Sequence, residues 1–148
     1  MKEYAYIIVP FMSLIVCQII KFAIESFKHK RLQWGRLFNG AGGMPSTHTT
    51  FSISLTTLIG YTLGVKEPLF AACLIFSLIV SYDAIGVRYE SGKQAAAIND
   101  IVDELEKKHK VKYGIAELKE QLGHKPFEVV GGALLGFTMG SIFYLLLF

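Results

Sequence analysis

Long apolar runs alternate with shorter polar segments along the chain, and the lengths of the apolar runs predict the architecture. Four runs could cross a bilayer or lie deep within one: Tyr4–Ile20, Leu37–Val65 with its apolar part from Phe51, Pro68–Tyr82, and Val129–Phe148. The last run has twenty residues without a charge, which matches the helix length that a hydrocarbon core of about 30 Å requires. The pattern predicts an all-α, integral membrane helical bundle of about four transmembrane helices.

The one long polar region, Arg88–Lys125, has its own helical pattern. Apolar residues recur there at i, i+3, i+4 and i+7, which predicts an amphipathic helix with Ile98, Ile101, Val102 and Leu105 on its apolar face. A second short pattern places Ile115, Leu118 and Leu122 on one face and ends at Gly123. We expect a cytoplasmic helical insertion at about 89–125 within a single domain, 1–148, that packs on the ends of the membrane helices. The alternative is that these helices lie in the lipid interface.

Composition and charge support the membrane interpretation and add an orientation. The 148 residues are 52% hydrophobic, with a mean hydropathy of +0.42, which is too apolar for most soluble domains. Thirteen of the fifteen Lys and Arg residues lie in 21–36 or 88–125. The positive-inside rule then places both basic loops in the cytoplasm and both termini outside a multi-pass cell-membrane protein.

Two further classes of function are disfavoured by the sequence. The basic residues are not interleaved with aromatic residues, so the net charge of +3 reflects topology and we expect no nucleic-acid partner. Cys17 and Cys73 both lie within apolar runs, where a thiol usually behaves as a small hydrophobic group. We therefore expect no metal site and no disulfide.

A glycine-rich segment before the second run is the first candidate for chemistry. Three glycines within Gly40–Gly43 let the backbone approach a ligand, and Pro45 can occupy the first turn of the helix that follows. The free N–H groups of a helix start favour phosphate. Ser46 and Thr47 add hydroxyl groups, and His48 adds a group that titrates near neutral pH. The alternative is an ordinary capped helix start with an incidental histidine.

The second candidate is a histidine that precedes the last run. His124 and Glu128 are four residues apart, so on a helix they would share one face. The carboxylate can then fix the imidazole tautomer and leave the other ring nitrogen free as a nucleophile or base. The alternative is a pair of ordinary polar residues at the membrane interface.

Three basic residues could neutralise a bound phosphoryl group. Arg36 precedes the glycine loop, Arg88 follows the third apolar run, and both are cytoplasmic in the predicted topology, as are the two histidines. Lys21, at the end of the first run, could reach the same pocket or serve as an interfacial anchor. All candidates therefore converge on the cytoplasmic face of the membrane.

Together these segments resemble a known superfamily. The segment 45–48, Pro-Ser-Thr-His, resembles the P-S-G-H motif of the type 2 phosphatidic acid phosphatases and vanadium haloperoxidases. The segment from His124 to Gly136 resembles their H-x-P-x-D-V-x-x-G-x-x-L-G motif, with Glu128 at the acidic position. Gly-Gly-Met-Pro-Ser-Thr-His, Tyr-Asp-Ala-Ile-Gly-Val-Arg and Gly-His-Lys-Pro-x-Glu-Val, in this order, look most like the small divergent branch of that superfamily.

The resemblance implies a metal-independent and cofactor-free phosphoric-ester hydrolase. His124 would attack phosphorus to give a phosphohistidine, with Glu128 orienting it, and His48 would protonate the leaving oxygen. The loop at Gly43, Ser46 and Thr47, with Lys21, Arg36 and Arg88, would hold the phosphate oxygens. The substrate would be a phospholipid or polyprenyl phosphate: phosphatidate, phosphatidylglycerophosphate, or a polyprenyl phosphate or diphosphate.

The sequence also departs from the superfamily pattern at several positions. Arg36 is followed by Leu37 where the superfamily has Arg-Pro, and Thr47 replaces Gly. Leu118 stands at the position of the usual Arg six residues before the nucleophilic His. The superfamily usually has six membrane spans. With four, the groove that would bind the lipid tail could be incomplete unless a second copy of the chain completes it in a homodimer. These departures motivate the competing hypothesis of a non-catalytic membrane protein that binds anionic lipid phosphate or scaffolds a partner.

Overall fold

The structure, a computed structural model, describes residues 2–32, 42–120 and 123–148 and confirms the all-helical prediction. A short 3-10 turn, Lys2–Tyr4, leads into five α-helices within these ranges: α1 Ala5–His29, α2 Thr47–Thr62, α3 Pro68–Ile85, α4 Val87–His109 and α5 Pro126–Leu147. Helices α1, α2, α3 and α5 correspond to the four predicted apolar runs, and α4 carries the predicted amphipathic pattern. The part of the second run before residue 42 lies outside the described residues.

Helix α2 occupies the centre of the bundle and packs against α1, α3 and α5. With 16 residues it is about 24 Å long, and its buried residues are mostly Ser and Thr. Their hydroxyl groups find partners: Thr56 lies 3.0 Å from Ser77 of α3, and Thr50 donates to the carbonyl of Gly132 of α5 at 3.1 Å. Small hydroxyl side chains thus let three helices approach α2 without leaving unsatisfied polar groups.

Helix α1 presents one narrow face to the bundle. Five of its six buried residues recur every fourth position, which places a single ridge against its neighbours; the sixth is Pro10. The ridge consists of Ala5, Val9, Ser13, Cys17 and Lys21. The apolar end of this ridge joins Leu58 in a small buried cluster. The other end carries the ammonium group of Lys21, which is 2% exposed.

Contact between α2 and α5 depends on three glycines spaced four apart in α5. A Cβ atom at Gly132 would lie 2.6 Å from the carbonyl oxygen of Ser46, and one at Gly136 would lie 2.7 Å from that of Thr50. At Gly140 the same atom would lie 2.8 Å from the carbonyl oxygen of Ser54. These distances are below van der Waals contact, so only glycine allows the two backbones to pack this closely.

The outer faces of the bundle are apolar, as expected for surfaces that face lipid. Within the described ranges, the helical segments that contain α1, α3 and α5 are long and apolar enough to cross a membrane. On α3, Phe76 and Ile79 expose 62% and 60% of their surfaces. Contiguous exposure of this kind is typical of a membrane-facing helix. The fold and its surface therefore fit a membrane location.

The polar insertion differs from its prediction after α4. Residues 111–120 are not helical, so the short helix predicted through Ile115 and Leu118 is wrong over these residues. The side chain of Asn99 on α4 bonds both the N–H and the carbonyl of Leu118, each at 2.9 Å. Glu106 accepts the N–H of Tyr113 at 2.8 Å. Side chains of α4 thus bind backbone groups of residues 111–120 that would otherwise bond to each other in a second helix. Such side-chain hydrogen bonds are known to compete with helix formation.

The packing of α5 on α2 can be tested with a matched pair of glycine substitutions. Gly136→Ala places a Cβ against the backbone of α2, and we expect a loss of about 1–3 kcal/mol in the free energy of unfolding. Gly131→Ala lies on the same helix, but its new Cβ meets the mobile end of the Met44 side chain at 3.0 Å. It should be tolerated, because alanine also favours the helix.

The measurement is the thermal unfolding midpoint of each purified variant in detergent. Gly136→Ala should unfold at a lower temperature than the parent, and Gly131→Ala should not. Equal midpoints for the two variants would contradict the close approach of α5 to α2.

Candidate active site

His124 lies in the turn before α5 and is held there from two sides. Only 3% of its surface is exposed. Its backbone N–H donates to the carbonyl of Ala84 in α3 at 2.9 Å. In the first turn of α5, Oε2 of Glu128 lies 3.1 Å from His124 Nδ1 and also accepts the N–H of Lys125 at 3.1 Å. The same carboxylate therefore caps the helix and orients the imidazole.

This pairing determines which ring nitrogen of His124 can react. An ionised Glu128 carboxylate accepts a hydrogen bond from Nδ1–H, which leaves the lone pair on Nε2. Burial lowers the pKa of His124 below its ordinary value of 6.5, because it disfavours the imidazolium. The hydrogen bond that His124 donates to Glu128 raises the pKa, while the nearby charges of Lys21 and His48 lower it. The result is an imidazole that stays neutral at physiological pH.

The start of α2 is fastened directly to the start of α5. Ser46, the residue before α2, is fully buried, and its N–H donates to the carbonyl of Glu128 at 2.9 Å. This amide was expected to hold a phosphate oxygen, but here it joins the two helices. Thr47 is buried, with its hydroxyl 3.7 Å from the Cys17 thiol. His48, in contrast, is exposed, and the free backbone donors of the helix start lie beside it.

Lys21 holds the glycine loop from the side of α1. Its ammonium group donates to the carbonyl of Gly42 at 3.1 Å. Gly42 and Gly43 have φ values of 69° and 82°, a left-handed conformation that glycine adopts without steric cost. The loop is therefore shaped by its glycines and held by a buried cation, which places Lys21 beside the candidate site.

Arg88 lies just after the junction of α3 and α4, beside an acidic partner. Its Nε donates to Oδ2 of Asp83 at 2.5 Å, and both side chains are partly exposed. Gly123 packs on the backbone at Arg88 and Tyr89, since an added Cβ there would lie 2.3 Å from Tyr89 Cα. The start of α4 is thus tied to the turn that carries His124.

The candidates from three parts of the chain share one electrostatic environment. Arg88, Lys21 and Asp83 are the charged groups that act on His48. Lys21, Glu128 and His48 act in turn on His124. The structure therefore brings Lys21, the start of α2, the α3–α4 junction and the His124 turn together at one end of the bundle.

One predicted site residue is not described by the structure, and three contributors to the site were not predicted. Arg36 lies outside the described residues. Asp83, the Ala84 carbonyl and the Cys17 thiol, which donates to the carbonyl of Pro45 at 3.4 Å, were missed. Asp83 does have a sequence signal, because it lies five residues before Arg88. Within the described parts of the chain, no group of three or more His, Cys, Asp or Glu residues is placed to hold a metal ion.

The matches to known proteins extend over the parts of the chain that form this site. The sequence model of the "Divergent PAP2 family", in which PAP2 denotes type 2 phosphatidic acid phosphatase, matches residues 3–139. The "Uncharacterized membrane protein YuiD" of Bacillus subtilis (strain 168) is 35% identical over 136 residues, which cover 86% of this chain and 85% of the relative. No solved structure matches the chain significantly.

The hydrogen bond between His124 and Glu128 predicts that removing the carboxylate charge will change the pKa of His124. In Glu128→Gln the carboxylate no longer favours the imidazolium, so the pKa of His124 should fall further below 6.5. The pKa can be read from ring-labelled histidine by NMR in detergent. Glu25→Gln is the control, because Glu25 pairs with His29 instead, at 3.3 Å. A pKa for His124 that stayed constant or rose in Glu128→Gln would refute the pairing.

Proposed function

Because the chain belongs to the divergent PAP2 family, we propose that it is a membrane-embedded phosphatase that hydrolyses a lipid phosphate through a phosphohistidine intermediate. The observation that carries the proposal is the arrangement around Glu128. Its carboxylate orients His124 at 3.1 Å, and its carbonyl accepts from Ser46 at the start of α2 at 2.9 Å. A single residue thus places an activated imidazole beside a helix N-terminus, which suits phosphate.

The reaction has two steps, and His48 regains in the second step the proton that it gives up in the first. In the first step, Nε2 of His124 attacks phosphorus, the ester P–O bond breaks, and His48 gives its proton to the leaving alkoxide. In the second step, His48 accepts a proton from water as its oxygen attacks phosphorus, and the P–N bond to His124 breaks. Inorganic phosphate and a lipid alcohol are the products.

Stabilisation of the phosphoryl group comes from charges held before the substrate arrives. Lys21 is fixed on the glycine loop, Arg88 is partly exposed beside the site, and the N–H groups of Thr47 and His48 lie in the first turn of α2. In the structure, the Arg88 guanidinium binds Asp83. When a substrate binds, the guanidinium must either contact Asp83 and the phosphate together or leave Asp83 for the phosphate. Neutralisation of the phosphate oxygens needs no metal ion in this scheme.

The orientation in the membrane follows from charge. Among the described residues, the Lys and Arg residues of 21–31 lie in and just after the C-terminal part of α1, and those of 88–125 lie between the start of α4 and the His124 turn, toward the end of the bundle that holds the candidate site. By the positive-inside rule we place this end at the cytoplasmic face, with the apolar sides of the helices in lipid. A lipid phosphate could then reach His124 from the interface without leaving the membrane.

The proposal is tested by phosphate release from lipid substrates in detergent with a chelator present. The parent protein should hydrolyse at least one member of a panel of phosphatidate, phosphatidylglycerophosphate and polyprenyl phosphates. His124→Ala should lose at least about 10³-fold in kcat, because the nucleophile is absent. His109→Ala is the control, since His109 is an exposed histidine at the end of α4.

Two outcomes would count against the proposal. Equal turnover by His124→Ala and the parent would remove His124 as the nucleophile. Binding of vanadate that depends on Arg88, with no turnover of any substrate, would favour the non-catalytic lipid-binding alternative.

The role of His48 can be separated from that of His124 by the choice of leaving group. His48→Ala should lose about 10²–10⁴-fold on an alkyl phosphate, whose alkoxide needs a proton. With p-nitrophenyl phosphate the first step needs no acid, so the variant should release one equivalent of nitrophenolate in a burst and then turn over slowly. Rapid quench with radiolabelled substrate should trap the phosphohistidine. Equal losses on both substrates, without a burst, would contradict this assignment.

A further inference from the structure

The face of α1 that points away from the bundle carries an apolar groove of about 560 Å³ near the end of the helix. Its apolar walls are side chains of α1 and of the turn that follows it: Ile19, Phe22, Ala23, Phe27 and Leu32. At about 100° per residue, Ile19 and Ala23 each lie about 200° around the helix from Lys21, which holds the glycine loop. The groove and the candidate active site therefore lie on opposite sides of α1.

The charge of this groove is entirely positive. Lys30 and Arg31 are the charged residues of its lining, and none of the described residues that line it is acidic. The nearest glutamate of α1 in sequence, Glu25, lies only about 40° around the helix from Lys21, on the other side, and pairs with His29 at 3.3 Å. The side chains of Lys30 and Arg31 make no hydrogen bond or ion pair with a residue of the described ranges. The rim is therefore complementary to an anion.

A hydrogen-bonded turn holds these two cations at the rim. Lys30 has a φ of 51°, so the chain leaves the helix there in a left-handed conformation, as helix ends often do. Its N–H donates to the carbonyl of Phe27 at 3.3 Å, and the N–H of Arg31 donates to that of Ser26 at 3.2 Å. The turn thus fixes the backbone that carries both cations above the apolar walls.

The order of these groups along α1 matches the order of groups in a phospholipid. The helix has 25 residues, and about 20 of them suffice to cross a hydrocarbon core of about 30 Å. Counted from Ala5, this length ends between Ala23 and Lys30. Ile19 and Ala23 therefore lie at the depth of acyl chains, and Lys30 and Arg31 lie in the headgroup layer, where basic residues attract anionic lipids.

We propose that this groove is a binding site for an anionic phospholipid of the surrounding membrane, with one acyl chain along α1 and the headgroup phosphate between Lys30 and Arg31. The apolar walls suit an acyl chain, and the two cations suit a headgroup that carries a net negative charge. A zwitterionic headgroup brings its own ammonium group and is bound less well. The inference does not depend on the proposed phosphatase function, because α1 separates the groove from the candidate active site and the lipid in it is not the one hydrolysed.

The charge of the rim is tested with two lipids that have the same chains, dioleoyl phosphatidylglycerol and dioleoyl phosphatidylcholine. Each is titrated into purified protein in detergent, and the bound lipid is counted by native mass spectrometry. The parent should prefer phosphatidylglycerol. The double variant Lys30→Gln, Arg31→Gln should bind it about 25-fold more weakly, because each basic residue near a headgroup contributes about fivefold, and should bind phosphatidylcholine as the parent does.

The matched control is Lys107→Gln, Lys108→Gln, which removes the same charge at the end of α4 and should keep the preference. A phosphatidylglycerol affinity of the Lys30, Arg31 double variant within twofold of the parent would overturn the proposal. Equal losses in the two double variants would also overturn it, since the effect would then be one of net charge.

The apolar walls are tested by filling the groove. Ala23→Trp puts an indole where the acyl chain would lie, so this variant should bind phosphatidylglycerol as weakly as the Lys30, Arg31 double variant. Ala71→Trp makes the same change on an exposed face of α3 and should bind the lipid as the parent does. Equal affinities of the two tryptophan variants would remove the groove as the site. A change of oligomeric state in Ala23→Trp with lipid binding retained would assign the groove to a second copy of the chain.

The candidate active site could itself bind an anionic lipid, and a third substitution separates the two places. Arg88→Gln removes a cation of the candidate site on the other side of α1 and should leave the phosphatidylglycerol affinity within twofold of the parent. A loss as large as that of the Lys30, Arg31 double variant would place the lipid in the candidate active site and overturn the groove.

Discussion

At Gly132, Gly136 and Gly140 the backbone of α5 lies so close to α2 that a single methyl group would overlap a carbonyl oxygen. This approach sets the distance between the starts of the two helices. It is what allows the N–H of Ser46 to reach the carbonyl of Glu128 at 2.9 Å. The packing of the membrane helices therefore determines where the His124 turn and the first turn of α2, with His48, lie. The loops between the helices follow from that packing.

Burial and charge act together on the imidazole that this packing places. His124 is almost fully removed from water, which alone would favour its neutral form. Glu128 opposes that tendency, and Lys21 and His48 reinforce it. Lys21 contributes to the structure as well, because its hydrogen bond to Gly42 fixes a loop in a left-handed conformation. The same cation therefore holds the glycine loop and adds to the effect of burial in lowering the pKa of His124.

Local patterns predicted the elements of this fold, whereas long-range contacts had to come from the structure. The pairing of His124 with Glu128 follows from the four-residue period of a helix, so the sequence was sufficient for it. The hydrogen bond of Ser46 joins two helices far apart in the chain, and no local pattern reports it. Residues 111–120 failed as a helix for a related reason: Asn99, on another element, bonds the backbone of Leu118. Sequence patterns therefore predict contacts within one helix, whereas contacts between separate elements have to be read from the structure.

The two candidate histidines differ in how firmly they are held, and this difference bears on the proposed mechanism. His124 is buried and fixed by bonds from α3 and α5, whereas His48 is exposed beside the Asp83–Arg88 pair. A nucleophile must meet phosphorus in a narrow geometry, so rigid placement favours it. A general acid must follow a leaving group whose tail lies in lipid, and exposure at the edge of the bundle provides that access. Substrate binding should therefore rearrange the groups around His48 and Arg88 and leave the α2–α5 contact, with His124 and Glu128, as the fixed half of the site.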